Sequence, residues 1–189
     1  MTRRLFVFDD PERFATGTIG QPGNRTFFLQ ARAGGRVVSV TIEKTQVSAL
    51  AERLGQLLVE LDREGIVDDP DEPISQDVRP LDEPINEVFR AGSLTLGWDG
   101  DAERILVEAR AQIEVESIEE AIEALQADED DDEEGPDLLR VRMTADAART
   151  FVERAHRVVR AGRPPCPLCG NPLDPAGHIC PRKNGHYVN

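Results

Sequence analysis

Between Val47 and Leu61 the apolar residues Val47, Leu50, Ala51, Leu54, Leu57, Leu58 and Leu61 recur at steps of three and four, which predicts a helix with one apolar stripe beginning near Thr45. Upstream of it, residues 26–31 and 37–42 are rich in β-branched and aromatic side chains. Gly34-Gly35 stands between them, and glycine tolerates the positive φ of a tight turn, so the two stretches read as a hairpin. The same order returns later. Residues 93–97 and 104–111 read as strands around an Asp99-Gly100 turn, and residues 139–143 as a further strand. Thr144 then caps a second helix, with Ala147, Ala148, Phe151, Ala155, Val158 and Val159 on its buried side.

The resemblance between the two halves extends to the residues themselves. IEKTQVSALAERL from Ile42 lies without a gap on MTADAARTFVERA from Met143. RTFFLQARA from Arg25 lies on ERILVEARA from Glu103, and FATG from Phe14 on FRAG from Phe89. Three blocks in one order divide the chain into a first unit, 1–66, and a second, 85–162. The second carries an acidic insertion, 112–137, that includes a short amphipathic stretch at 118–125. Residues 67–84, with four prolines and many acids, read as an extended linker. The expected class is α+β: two antiparallel-sheet-plus-helix units, with room for both in one sheet, followed by a zinc-ribbon-like tail at 163–189.

Charge narrows the partners. The net charge is −14, and the run from Asp128 to Glu134 supplies seven of the negatives; it reads as a solvated, disordered loop. An acidic body repels phosphate backbones, so nucleic acid is an unfavoured partner for it. No run approaches the roughly 20 apolar residues that a membrane span needs, and no secretory signal is visible at Met1 to Asp10, so a cytoplasmic protein is expected.

All three cysteines and two of the three histidines fall in CPLCGNPLDPAGHICPRKNGH, which begins at Cys166. A C-x-x-C turn offers two sulfurs from one tight loop, and a structural zinc takes four thiolate or imidazole ligands in a tetrahedron. Cys166, Cys169 and Cys180 supply three of these ligands. The fourth is His178 or His186, and the short spacing from His178 to Cys180 favours the former. A disulfide would leave one cysteine over in a reduced compartment. Four protein ligands close the shell, so the metal should hold the tail together and leave no position for water.

At FVFDDPERFATGTIGQPGNRTFFLQA, VSVTIEKTQVSALAERLG, LGWD, EEGPD and AGRPPCPLCGNPLDPAGHICPR the chain resembles the actinobacterial proteins grouped as domain of unknown function 3090, a resemblance over nearly its whole length. The resemblance implies no particular activity, substrate or partner. It does imply an aromatic residue at the position of His186, which supports His178 as ligand.

Elsewhere the candidate chemistry is sparse. The glycine-rich segment 17–25 could present backbone amides and a cation to a phosphate, with Gly20, Gly23, Asn24 and Arg25 as its binding residues, although neither nucleotide-binding glycine motif is present. Asp99, Asp101 and Glu103 alternate like a calcium loop, but Arg104 stands where such a loop needs glycine. His156 falls on the second helix without a nucleophile beside it in sequence. The leading reading is a non-enzymatic binding or adaptor protein for a protein partner, its tail held by zinc. One alternative is a binder of, or enzyme for, a phosphate-bearing small molecule using the 17–25 segment; another is a transcription-associated factor acting through the tail.

Overall fold

The structure is a computed structural model that describes residues 3–67, 76–113, 135–162, 166–169 and 180. Its elements run β1 (Leu5–Asp9), β2 (Arg13–Gln21), β3 (Asn24–Ala33), β4 (Arg36–Ile42), α1 (Lys44–Arg63), β5 (Glu87–Asp99), β6 (Arg104–Ala111), β7 (Leu138–Met143) and α2 (Ala145–Arg160). The seven strands form one sheet in the order β1-β7-β6-β5-β4-β3-β2. The class is α+β, and both sheet-plus-helix series lie in that single sheet. β2-β3-β4 and β5-β6-β7 are each antiparallel, and the two series meet through a parallel pairing of β4 with β5. The aligned sequence blocks fall on matching elements: β2 with β5, β3 with β6, and β4-α1 with β7-α2.

One face of the sheet carries the core. Leu29 and Ala31 of β3, Val38, Val40 and Ile42 of β4, Ile105, Val107 and Ala109 of β6, and Leu139, Val141 and Met143 of β7 are buried there. Both helices complete the same cluster, with Val47, Leu50, Ala51, Leu54, Leu58 and Leu61 from α1 and Ala148, Phe151 and Ala155 from α2. Phe14 of β2 stacks on Phe151, with ring centroids 4.8 Å apart. The sheet curls enough to bring β1 back near the β3–β4 turn, where the Arg36 guanidinium lies over the rings of Phe6 and Phe8 at 5.5 and 5.1 Å. α1 begins one residue earlier than the sequence predicts, because Gln46 Oε1 accepts from the Glu43 backbone N–H at 2.9 Å and fixes Glu43 as the cap. Thr144 caps α2 as expected, its hydroxyl oxygen accepting from Ala147 N–H at 3.2 Å.

Two strands go unnoticed in the sequence. β1 pairs in parallel with β7, from Leu5 beside Leu138 to Asp9 beside Arg142. β2 occupies most of the glycine-rich segment that reads as a loop. It is the outermost strand at its end of the sheet, and an unprotected edge invites pairing with another chain.

Here the proline-rich segment intervenes. Its described part, 76–84, does not hang free as a linker would; it wraps around β2. On the helix side Arg154, 6% exposed although charged, donates to the outward carbonyl of Thr16 at 2.6 Å and to those of Asp77 and Arg79 at 2.7 Å each. At the edge, Arg13 bonds the carboxylates of Asp77 and Asp82 at 2.7 and 2.8 Å. On the far face Gln30 exchanges two hydrogen bonds with the Asp82 backbone, at 3.0 and 2.8 Å, much as a neighbouring strand would. The buried Leu81 side chain lies over Gly17, where a Cβ would sit 2.6 Å from Leu81 Cγ. Burial alone would raise the Asp77 carboxyl, but the bonds from Arg13 and the charge of Arg154 outweigh it and hold the group below the ordinary carboxylate range. The segment is a strap held by buried charge pairs, which prolines and acids in a linear reading do not distinguish from a spacer.

The amphipathic stretch expected at 118–125, the acidic run 128–134, His178 and His186 lie outside the described residues. Among the described residues no helix is long and apolar enough to cross a membrane.

Candidate functional site

The tail leaves the body after α2. Arg157 C=O closes the helix by accepting from Ala161 N–H at 2.9 Å, and four residues beyond Gly162 the chain reaches Cys166 and a turn through Cys169. In this turn the Leu168 N–H points at Cys166 Sγ, 3.4 Å away. Hydrogen bonds from the Cys169 and Leu168 backbones hold the Cys166 thiol below its ordinary range, the direction a thiolate ligand needs. Cys180 comes back to the same point, its Sγ 4.0 Å from that of Cys166. All three sulfurs lie within 4.8 Å of one another, and Cys166 and Cys180 are buried. None is in a disulfide, which would need a sulfur–sulfur distance of about 2.05 Å. Three convergent thiols are a donor set that could hold a metal ion. Both candidates for the fourth ligand, His178 and His186, belong to residues the structure does not describe.

The four residues named in the glycine-rich segment have separate fates. β2 and β3 form a tight hairpin in which Gln21 faces Asn24 and Gly20 faces Arg25. Pro22-Gly23 makes the turn, with Gly23 at φ +98°. Gly20 has φ +102°, and a Cβ there would stand 2.3 Å from the Asn24 carbonyl oxygen, so the hairpin itself accounts for this glycine. Asn24 is a pairing residue at the strand end. Arg25 alone reaches across the molecule, donating from Nη1 to the Ala161 carbonyl at 2.6 Å.

Around Arg25 the structure brings together residues that the sequence keeps far apart. A cleft of about 450 Å³ opens between the hairpin turn, the start of α1 and the end of α2, lined by Gly23, Arg25, Phe27, Lys44, Val158, Val159 and Arg160 among others. Lys44 is absent from the sequence-derived candidates because no linear spacing joins positions 25, 44 and 160, and Arg160 stands out in the sequence only as one of the basic residues clustered around the cysteines. For Lys44 the only hint was compositional: it is one of just two lysines, the other being Lys183.

The remaining candidates are absorbed by structure. Asp99 accepts from Ala102 N–H at 3.0 Å and pairs with Arg142, so it closes the β5–β6 turn and is not arranged as a calcium loop. Those two interactions, the backbone one foremost, lower its carboxyl below the ordinary range. His156 is exposed on α2.

No curated protein and no solved structure matches the chain. A family model described as "Protein of unknown function (DUF3090)" matches residues 6–180, a span that takes in every described strand except the first residue of β1, both helices and all three cysteines. The chain belongs to the DUF3090 family.

Proposed function

We propose that this protein is a zinc-binding protein that works by binding and not by catalysis, its C-terminal tail folded around one zinc ion so that a protein partner can dock on it. The convergence of Cys166, Cys169 and Cys180 carries this reading. Zinc–sulfur bonds of about 2.3 Å in a tetrahedron set the sulfurs about 3.8 Å apart, close to the 4.0 Å between Cys166 and Cys180. Thiolate donors are soft and suit zinc better than the hard cations that take oxygen. His178 completes the shell in this reading, with His186 as the alternative. A closed shell leaves no site for an activated water, so the ion supplies folding free energy to a segment too short for its own core. The acidic body, net −14 over the chain, favours a protein partner over nucleic acid, and the cytoplasm is a compartment where the thiols stay reduced.

Native mass spectrometry of the reduced protein, purified without added metal or chelator, tests the proposal. One zinc per chain is expected, lost in Cys166→Ser and in His178→Ala but retained in His186→Ala. Metal-free reduced protein would overturn the reading, and retention of zinc in His178→Ala with loss in His186→Ala would move the fourth ligand.

A further inference from the structure

The cleft beside the tail stands out electrostatically. The chain is strongly acidic, yet Arg25, Lys44 and Arg160 converge on the C-terminal end of α2 without a carboxylate paired to any of them among the described residues. Many arginines of the body are engaged otherwise: Arg4, Arg13, Arg32, Arg90, Arg104, Arg140 and Arg142 each sit against an acid.

Cations near a helix C-terminus have a plain structural use, since they satisfy its last carbonyls and suit its dipole. Arg25 does this with a single donor, Nη1 on Ala161 O. A guanidinium has five donors, and Arg25 Nε is buried without a hydrogen-bond partner. Lys44 reaches the same point, its Nζ 3.6 Å from where a Cβ on Gly162 would lie, and finds no acceptor among the described residues. Capping one carbonyl therefore uses little of what the three side chains offer, and like charges gathered without a counterion repel one another.

We propose that this cleft binds a phosphate-bearing small molecule, with Arg25, Lys44 and Arg160 holding the phosphate and Phe27, Val158 and Val159 receiving an apolar part. A dianion answers three cations better than a monoanion does, and the planar guanidinium fork matches phosphate oxygens in pairs. The volume, about 450 Å³, lies in the range of small-molecule sites, and an apolar lining with a few placed charges is their usual character. The recognition resides in side chains from three elements and not in the backbone amides of the glycine-rich hairpin. It is also independent of the zinc reading, because none of the three cations lies in the tail.

Isothermal titration of the full zinc-loaded chain with phenyl phosphate, inorganic phosphate and benzoate, at ionic strength matched with sodium chloride, tests it. Phenyl phosphate should bind saturably at one site per chain, inorganic phosphate at the same site more weakly, and benzoate at least tenfold more weakly than phenyl phosphate. Lys44→Gln and Arg160→Gln, both at exposed positions, should each weaken phenyl phosphate about tenfold, while Arg53→Gln, an equal change of charge on the outside of α1, should leave it unchanged. No saturable binding, equal affinity for benzoate, or the same loss in all three charge variants would overturn the proposal. Zinc content measured in each sample keeps a failure here distinct from a failure of the metal centre.

Discussion

Adding one methyl group at Gly17 should unseat the strap that covers β2, and removing Leu81 should restore it. A Cβ on Gly17 would lie 2.6, 2.9 and 3.0 Å from Cγ, Cδ1 and Cδ2 of Leu81, whereas carbon atoms rest about 3.5–4.0 Å apart. The overlap approaches 1 Å, and overpacking of this kind costs about 1–3 kcal/mol. Alanine in a strand returns about 0.5–1 kcal/mol relative to glycine, which leaves Gly17→Ala destabilised by about 1–2 kcal/mol. Leu81→Ala removes a side chain only 7% exposed and should cost about 2 kcal/mol, the lower end for leucine truncation, because a strap can partly collapse onto the gap. In the double variant all three clashing atoms are gone and the new methyl fills part of the vacancy, so Gly17→Ala becomes neutral or mildly stabilising. Urea denaturation of the four proteins, with equal m values as the condition for comparing them, should give a favourable coupling of about 1–2 kcal/mol. Additivity within about 0.5 kcal/mol would show that Leu81 does not press on Gly17 and that the segment 76–84 is not seated as described.

The charged part of the strap should show in acid. Asp77 has its carboxyl held below its unfolded value, so its contribution is fully present above about pH 3.9 and is lost as pH falls through the depressed folded value; urea midpoints between pH 5 and pH 2 should fall less steeply in Asp77→Asn than in the parent. Arg154→Met, which strips donors from the carbonyls of Thr16, Asp77 and Arg79, should cost about 3 kcal/mol and speed amide exchange in residues 76–82 beyond that of the rest of the sheet. Phe151→Ala, fully buried and stacked on Phe14, should lower stability by about 3–5 kcal/mol in the same urea assay. Adding a chelator should leave the melting of the body within about 1 °C, measured by calorimetry, since no described residue of the tail belongs to its core cluster.

What the linear chain reveals here follows the range of the interactions. The stripe of α1, the Thr144 cap and the Gly34-Gly35 and Asp99-Gly100 turns are written within a few residues of where they act, and each is found where the pattern places it. The convergence of the cysteines is legible for a related reason, since C-x-x-C spacing puts two sulfurs in one turn. The segment 17–25 misleads because glycine usually marks a loop, whereas Gly17 is required by Leu81 and Gly20 by the Asn24 carbonyl inside a continuous hairpin. Arg154 defeats the helix pattern altogether. Its counterpart in the repeat alignment, Arg53, is exposed, and only the arrival of residues 77–79 makes a buried cation tolerable at the later position. The cationic cleft is a tertiary object of the same kind.

The parallel pairing of β1 with β7 sets a timetable for the chain as it is made. Leu5 must meet Leu138, and Arg4 must meet Asp137 across 133 residues of sequence. At about 5–20 residues per second of translation, β1 waits roughly 7 to 27 seconds before its partner exists. Over that interval Phe6 and Phe8 have no sheet to join, and closure of so long a loop is slow as well as late. A polypeptide stalled before Met143 would therefore leave β1, with Phe6 and Phe8, without its partner strand and open to chaperones and proteases.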